Sequence, residues 1–248
     1  MAGRLYLVGT PIGHLGDVSA RVRDTLGGVA LIAAEDTRRT GMLLKHLGIS
    51  GRLTSYHDHN ERRKAPALIE ALERGDDVAV VSDAGVPGIA DPGWHVVRAA
   101  IERGIAVTAI PGPTAFVLAL VTSGLPAHRF AFEGYLPRKP GPRRKRLAHL
   151  RNEERTMVFY ETPHKIMATL GDMVEALGDR RAALARELTK QHEETLRGRL
   201  PELLAQVSCH RPRGEYVVVI AGAAAEEAGQ DDGPGGERTD EFRTNEGD

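Results

Sequence analysis

The chain has 248 residues, enough for one large domain or two modest ones. Hydrophobic residues make up 41% and charged residues 27%, a globular balance that speaks against wholesale disorder. A single cysteine, Cys209, excludes an internal disulfide and a four-thiolate zinc site, and no apolar run reaches the ~18–20 residues of a membrane span. With no signal-peptide core after Met1, these features predict a soluble cytoplasmic protein without a membrane partner.

In chain order, strand-like runs alternate with helical spacing. Arg4–Val8 reads as a strand, Asp17–Leu26 as a helix capped by Asp17 or Ser19, and Val29–Ala34 as a second strand. Arg38–Leu47 follows as a helix. Glu61–Arg74 is an amphipathic helix after Asn60 as N-cap, with Ala65, Leu68, Ile69 and Leu72 on one face. Val78–Val81 and Ile105–Ile110 read as strands, Gly93–Arg103 and Thr114–Thr122 as helices. Repeated β-α of this kind implies a mostly parallel sheet covered on both faces. Beyond Ser123 the texture changes. Strands are predicted at Phe130–Gly134, Thr156–Tyr160, Ala182–Arg186 and Glu215–Ile220, with Glu193–Arg199 as a further candidate, and helices at His164–Leu177 and Leu200–Val207. The expected architecture is α/β with two domains: residues 1–122 around a mostly parallel sheet with flanking helices, and residues 123–222 as a mixed α+β sheet.

The net charge of −1 averages two unlike parts. Residues 223–248 hold nine acidic and two basic side chains and few large apolar ones, which predicts a disordered acidic tail. The remainder carries 31 Lys and Arg against 25 Asp and Glu. Seven of those cations lie between Arg138 and Arg151, a span without acids whose Pro-Gly-Pro start reads as a loop leading into a helix. Arg143, Arg144, Lys145 and Arg146 within it are candidates for binding a nucleic-acid backbone; a solvated basic face is the plainer alternative.

Three Gly/Pro-rich loops follow predicted parallel strands: Gly9–Gly13, Ser82–Gly93 and Pro111–Thr114. In open α/β sheets, loops at the strands' carboxyl ends line a ligand crevice. The dinucleotide and phosphate-loop glycine patterns are both missing. Proline has no N–H, so loops bearing Pro11, Pro87, Pro92, Pro111 and Pro113 are poor phosphate cradles. Carbonyl oxygens and the carboxylate of Asp83 suit instead a cation attached to a nucleoside, as in S-adenosylmethionine.

The motifs LYLVGTPIG (5–13), AEDTRRT (34–40), SYHDHNE (55–61), VSDAGVPGIADPG (81–93), IPGPTA (110–115), FYETPHK (159–165) and ARELTKQHEE (185–194) together resemble the tetrapyrrole methylase superfamily. The resemblance is most specific to its ribosomal-RNA-modifying branch. It implies a homodimeric enzyme that methylates a cytidine 2′-hydroxyl in 16S rRNA, within the small ribosomal subunit, using S-adenosylmethionine. It also implies cofactor contacts from Pro11, Ile12, Asp83, Gly85, Val86, Ile89, Thr114, Ala115, Tyr160 and Leu188. Where the superfamily's cobalamin-pathway members have Gly-Asp-Pro, this chain has Ser82-Asp83-Ala84. The alternatives within and outside that fold are a tetrapyrrole C-methyltransferase and a catalytically silent RNA-binding module.

Transfer to a sugar oxygen needs in-line alignment and profits from a base. Asp36, Glu161 and Glu187 are the catalytic candidates, with Asp36 favoured because Arg38 and Arg39 beside it can receive RNA. An ordinary interdomain ion pair is the competing reading for each. His57 and His59 lack further ligands for zinc, so no metal is expected.

Overall fold

The computed structural model describes residues 1–209 and 211–223; the predicted tail, Ala223 apart, lies outside them. The first half alternates as β1 (Leu5–Val8), α1 (Ala20–Gly28), β2 (Leu31–Ala34), α2 (Thr37–Leu47), β3 (Leu53–Ser55), α3 (Glu61–Glu73), β4 (Val78–Val81), α4 (Trp94–Glu102), β5 (Val107–Ile110) and α5 (Ala115–Thr122). Its five strands are all parallel in the order β3-β2-β4-β1-β5. The central strand β4 reads Val-Ala-Val-Val and is buried on both faces, as a helix-covered parallel strand must be. Val78 and Val80 face α3 and α4, whereas Ala79 and Val81 face the layer of α1 and α2. Because the chain runs outward from β1 to β3 and then returns to β4, the strand order reverses beside β1, where α/β sheets open a crevice.

Local chemistry adjusts the predicted boundaries. The first helix starts at Ala20, not Asp17, because Val18 is extended; Leu15–Asp17 forms a separate 3₁₀ turn and Ser19 Oγ caps Val22 N at 3.2 Å. Asn60 precedes α3, yet its Oδ1 accepts from His57 N at 2.9 Å and thus braces the preceding loop rather than the helix. The three-residue β3 falls below the length at which alternation is readable.

The second half contains β6 (Phe130–Tyr135), α6 (Pro140–His149), β7 (Thr156–Glu161), α7 (Ile166–Leu177), β8 (Arg181–Arg186), β9 (Glu194–Arg199), α8 (Leu200–Ser208) and β10 (Tyr216–Ile220). They form a mixed sheet, β6-β7-β10-β8-β9, in which only the β6–β7 pair is parallel. The span expected to begin as a loop is helical from Pro140 itself, a residue preorganised for a first helical turn. One face of this sheet packs Phe159, Leu184 and Val218 against α7 and α8. The other packs Val158, Ala183 and Val219 against Ala119 and Leu120 of α5. Although α5 precedes residue 123 in the chain, it therefore belongs by packing to the second sheet, and the chain passes between the sheets at Pro111–Thr114.

Candidate active site

The loops at the carboxyl ends of β1, β4 and β5 are pinned to one another by backbone contacts. Thr10 and Gly85 exchange N–H···O bonds of 2.8 and 3.1 Å. A Cβ on Gly9 would lie 2.7 Å from Gly112 Cα, and one on Gly112 equally close to Gly9, so the first and third loops touch where only glycine fits. The β2 exit joins through carboxylates: Asp36 N donates to Asp83 Oδ1 at 2.9 Å, and Asp83 N to Glu35 Oε2 at 3.1 Å. The second sheet closes onto this frame. His14 N donates to Thr189 Oγ1 at 3.1 Å, in a turn after β8 where Glu187 and Thr189 both adopt positive φ.

Between the sheets lies a crevice of about 260 Å³. Of the residues predicted to hold a cofactor, Ile12, Asp83, Gly85, Val86, Ile89, Thr114, Ala115, Tyr160 and Leu188 line it, while Pro11 does not. Its lining pairs an apolar floor, from Ile12, Val86, Ile89 and Leu188, with the acidic side chains of Glu35, Asp83 and Asp91. Five carboxylates against the two cations Arg39 and Lys190 leave the lining with an acidic excess that favours a positively charged guest, and the apolar side chains suit an aromatic ring system. These residues therefore fit S-adenosylmethionine, which joins a sulfonium to an adenosine.

The electrostatics of the acidic wall follow from crowding. Asp91 is pushed up to about 7, first by burial and then by the charge of Glu35, against a hydrogen bond from Ser82. Burial also raises Glu35. On the opposite wall Tyr160 is pushed up to about 12 by burial, its phenol accepting from Phe116 N at the start of α5. Lys190 bridges Glu187 at 2.9 Å and Glu215 at 2.8 Å; burial disfavours its charge, but the two carboxylates outweigh that and raise it. Asp91, Tyr135 and Glu215 line the crevice although no sequence signal pointed to them. Asp91 lies within the VSDAGVPGIADPG stretch, but nothing in a string of loop residues reports burial.

The predicted catalytic carboxylates occupy different settings. Asp36 lies outside the crevice lining and is chelated by Arg38, with Nε at 3.1 Å and Nη2 at 2.8 Å, which holds it well below the usual carboxylate range. So low a proton affinity argues against the favoured base. Glu161 is buried away from the crevice, accepting from Thr169 Oγ1 at 2.6 Å and Thr162 N at 2.7 Å, and reads as a structural carboxylate. Glu187 does line the crevice, though Lys190 and Glu215 N together overcome the burial that would raise it.

The basic run divides along the faces of α6. Arg143 points inward, 6% exposed, with Nε 2.6 Å from Asp172 Oδ2, and Arg144 Nε lies 2.8 Å from the other oxygen. Arg146 is paired with Glu133 at 2.6 Å. Lys145 is exposed, as are Arg138, Lys139 and Arg151. Arg143 is thus corrected from an RNA contact to a core ion pair: every third or fourth position of this helix must face α7. Arg38 and Arg39 remain exposed, with Arg39 also lining the crevice mouth.

Fold and crevice define a class: two-sheet α/β proteins that hold a small ligand where a parallel sheet meets a mixed one. The chain belongs to the family of tetrapyrrole (corrin/porphyrin) methylases, which it matches over residues 4–204. It is 49% identical to the ribosomal RNA small subunit methyltransferase I of Micromonospora olivasterospora over 93% of its own length and 74% of that protein's. Its identity to the protein of the same name from Synechocystis sp. is 50%, over 91% and 81% of the two chains. A uroporphyrin-III C-methyltransferase from Thermus thermophilus, solved with S-adenosyl homocysteine, shares the fold at a TM-score of 0.58 and 18% identity, covering 91% of this chain and all of that one.

Proposed function

We propose that this protein transfers the methyl group of S-adenosylmethionine to the 2′-hydroxyl of a cytidine in small-subunit ribosomal RNA. The observation that carries the reading is the half-identity to ribosomal RNA small subunit methyltransferases across nine-tenths of the chain. The crevice supports it chemically. Asp83 and Glu35 offer negative charge to a sulfonium, and Ile12, Val86, Ile89, Ala115, Tyr160 and Leu188 offer apolar contact to the nucleoside. The bound cofactor supplies the electrophilic methyl; the protein's share is to hold donor and sugar in line. Arg38 and Arg39 at the mouth, with Arg138, Lys139 and Lys145 on α6 and its approach, supply cations for RNA phosphates.

Incubating the protein with labelled methyl donor and unmodified small-subunit particles, then mapping the label, tests the reading. Label on one ribose is the expected result. Label appearing on a porphyrinogen and not on RNA would support the tetrapyrrole alternative instead. The protein works as a homodimer in this proposal: Val117 and Val121 on α5 and Phe130 and Tyr135 on β6 are exposed apolar side chains suited to a second copy. Light scattering of the purified chain measures that directly. A cytoplasmic setting accords with the substrate; among the described residues no helix is long and apolar enough to cross a membrane.

A further inference from the structure

We infer that Asp91 accepts the proton of the attacking ribose hydroxyl, an inference that rests on the methyltransferase reading above. The other carboxylates of the region are committed. Asp83 Oδ1 accepts from Asp36 N at 2.9 Å and its Oδ2 lies 3.4 Å from Arg39, while Glu35 Oε2 accepts from Asp83 N. Glu187 and Glu215 are both held by Lys190, and Asp36 and Glu161 lie outside the lining. Asp91 lines the crevice, and the nearby Ser82 hydroxyl only partly offsets the effect of its burial.

Its loop also folds back on itself. Gly88 N donates to Pro92 O at 3.2 Å, and Gly93 packs so closely that a Cβ there would meet Gly88 N at 3.1 Å. Ala90, immediately before Asp91, is held at a φ of 60°. A non-glycine residue in that left-handed region adopts a costly conformation of the kind that clusters at active sites. Glu35, Asp58 and Asp83 act on Asp91 from the β2 exit, the 56–60 loop and the β4 exit, and Asp91 in turn acts on Tyr135 and Tyr160 across the crevice. Arg39, tied to Asp83, is the cation on that side.

In the step, the O–H pair stays on the sugar oxygen as the proton passes to Asp91. The oxygen forms its bond to the methyl carbon, and the carbon–sulfur bond breaks with its pair remaining on sulfur. Sulfonium and carboxylate charges thereby vanish together, and the proton later leaves Asp91 for water. A base near neutrality is the efficient one at cellular pH.

The test compares wild type, Asp91→Asn and Asp91→Ala in cofactor calorimetry and single-turnover methyl transfer to unmodified small-subunit particles. Asp91→Asn should bind S-adenosylmethionine within about threefold of wild type but transfer about 10²–10⁴-fold more slowly, without the rise in rate that wild type shows as pH increases through neutrality. Added formate should restore part of the rate to Asp91→Ala and none to Asp91→Asn, whose amide fills the space. An Asp91→Asn rate within about fivefold of wild type, with the same pH profile, overturns the assignment while leaving the functional reading intact. So does a loss accounted for by cofactor affinity alone. If wild type binds the cofactor yet labels no RNA, the functional reading fails and the assignment with it.

Discussion

Asp83 accepts a backbone N–H on one oxygen and faces a guanidinium with the other, so its carboxylate is held in place at the crevice wall. A carboxylate held by such contacts suits a sulfonium guest, because a pre-organised partner lowers the cost of binding. Replacing Asp83 with alanine should weaken S-adenosylmethionine binding by about tenfold or more, measured by calorimetry, with the circular dichroism spectrum unchanged. Arg143 shows the opposite use of charge. Its guanidinium and Asp172 are both nearly inaccessible, so removing one leaves the other buried without its best partner. Arg143→Ala should cost about 3 kcal/mol in urea denaturation. It should leave the salt dependence of RNA binding unchanged, since Arg143 reaches no phosphate.

Helix α6 carries both roles because its two faces meet different neighbours. Arg143, Leu147 and the following Leu150 face inward, and Lys145 faces water. Replacing Lys139 and Lys145 together with alanine should raise the KM for ribosomal particles. It should also lower the slope of log affinity against log salt by about 0.7–0.9 for each phosphate no longer neutralised, with cofactor affinity unaffected. An unchanged salt slope would make the face merely solvated. The neighbouring helix α5 illustrates a different element-level effect. Its sequence is apolar nearly all round, and the structure uses that fully: Ala119 and Leu120 fill the second sheet's core while Val117 and Val121 stay exposed on the outer side.

Across the whole molecule the carboxylates set two opposing responses to pH. Glu153, bound by Arg155, is held at about 2, and Asp172 lies below the usual range because Arg144 and Arg143 outweigh the burial that raises it. Each folded-state value is depressed, so the stability they contribute is present above the ordinary carboxylate range and is lost as pH falls through it towards 2. Asp91 has the reverse sign. At about 7 in the folded protein it binds its proton more tightly than in the unfolded chain, so stability declines as pH climbs from the ordinary carboxylate range through neutrality. Scanning calorimetry should show Asp91→Asn melting higher than wild type at about pH 8, with the difference fading towards about pH 4. A site residue that lowers stability where it is ionised fits the general conflict between function and folding.

Sequence alone determined the alternation of elements, the parallel character of the first sheet, the mixed second half and most of the crevice lining. The alternation and the three crevice loops are consequences of local periodicity and of glycine and proline, whose backbone limits are written in the residue type; the individual lining residues came from the family resemblance. Only the tertiary structure decided that α5 serves the second sheet, that Arg143 is core, that Glu161 is a structural carboxylate and that Asp91 stands in the crevice. Burial and charge pairing depend on residues far apart in the chain: Arg143 meets Asp172 across two helices, and Asp91 acquires its proton affinity from burial and from Glu35 on another strand's exit. A carboxylate in a loop has the same letters whether it caps a turn or waits for a proton; what surrounds it in space makes the difference.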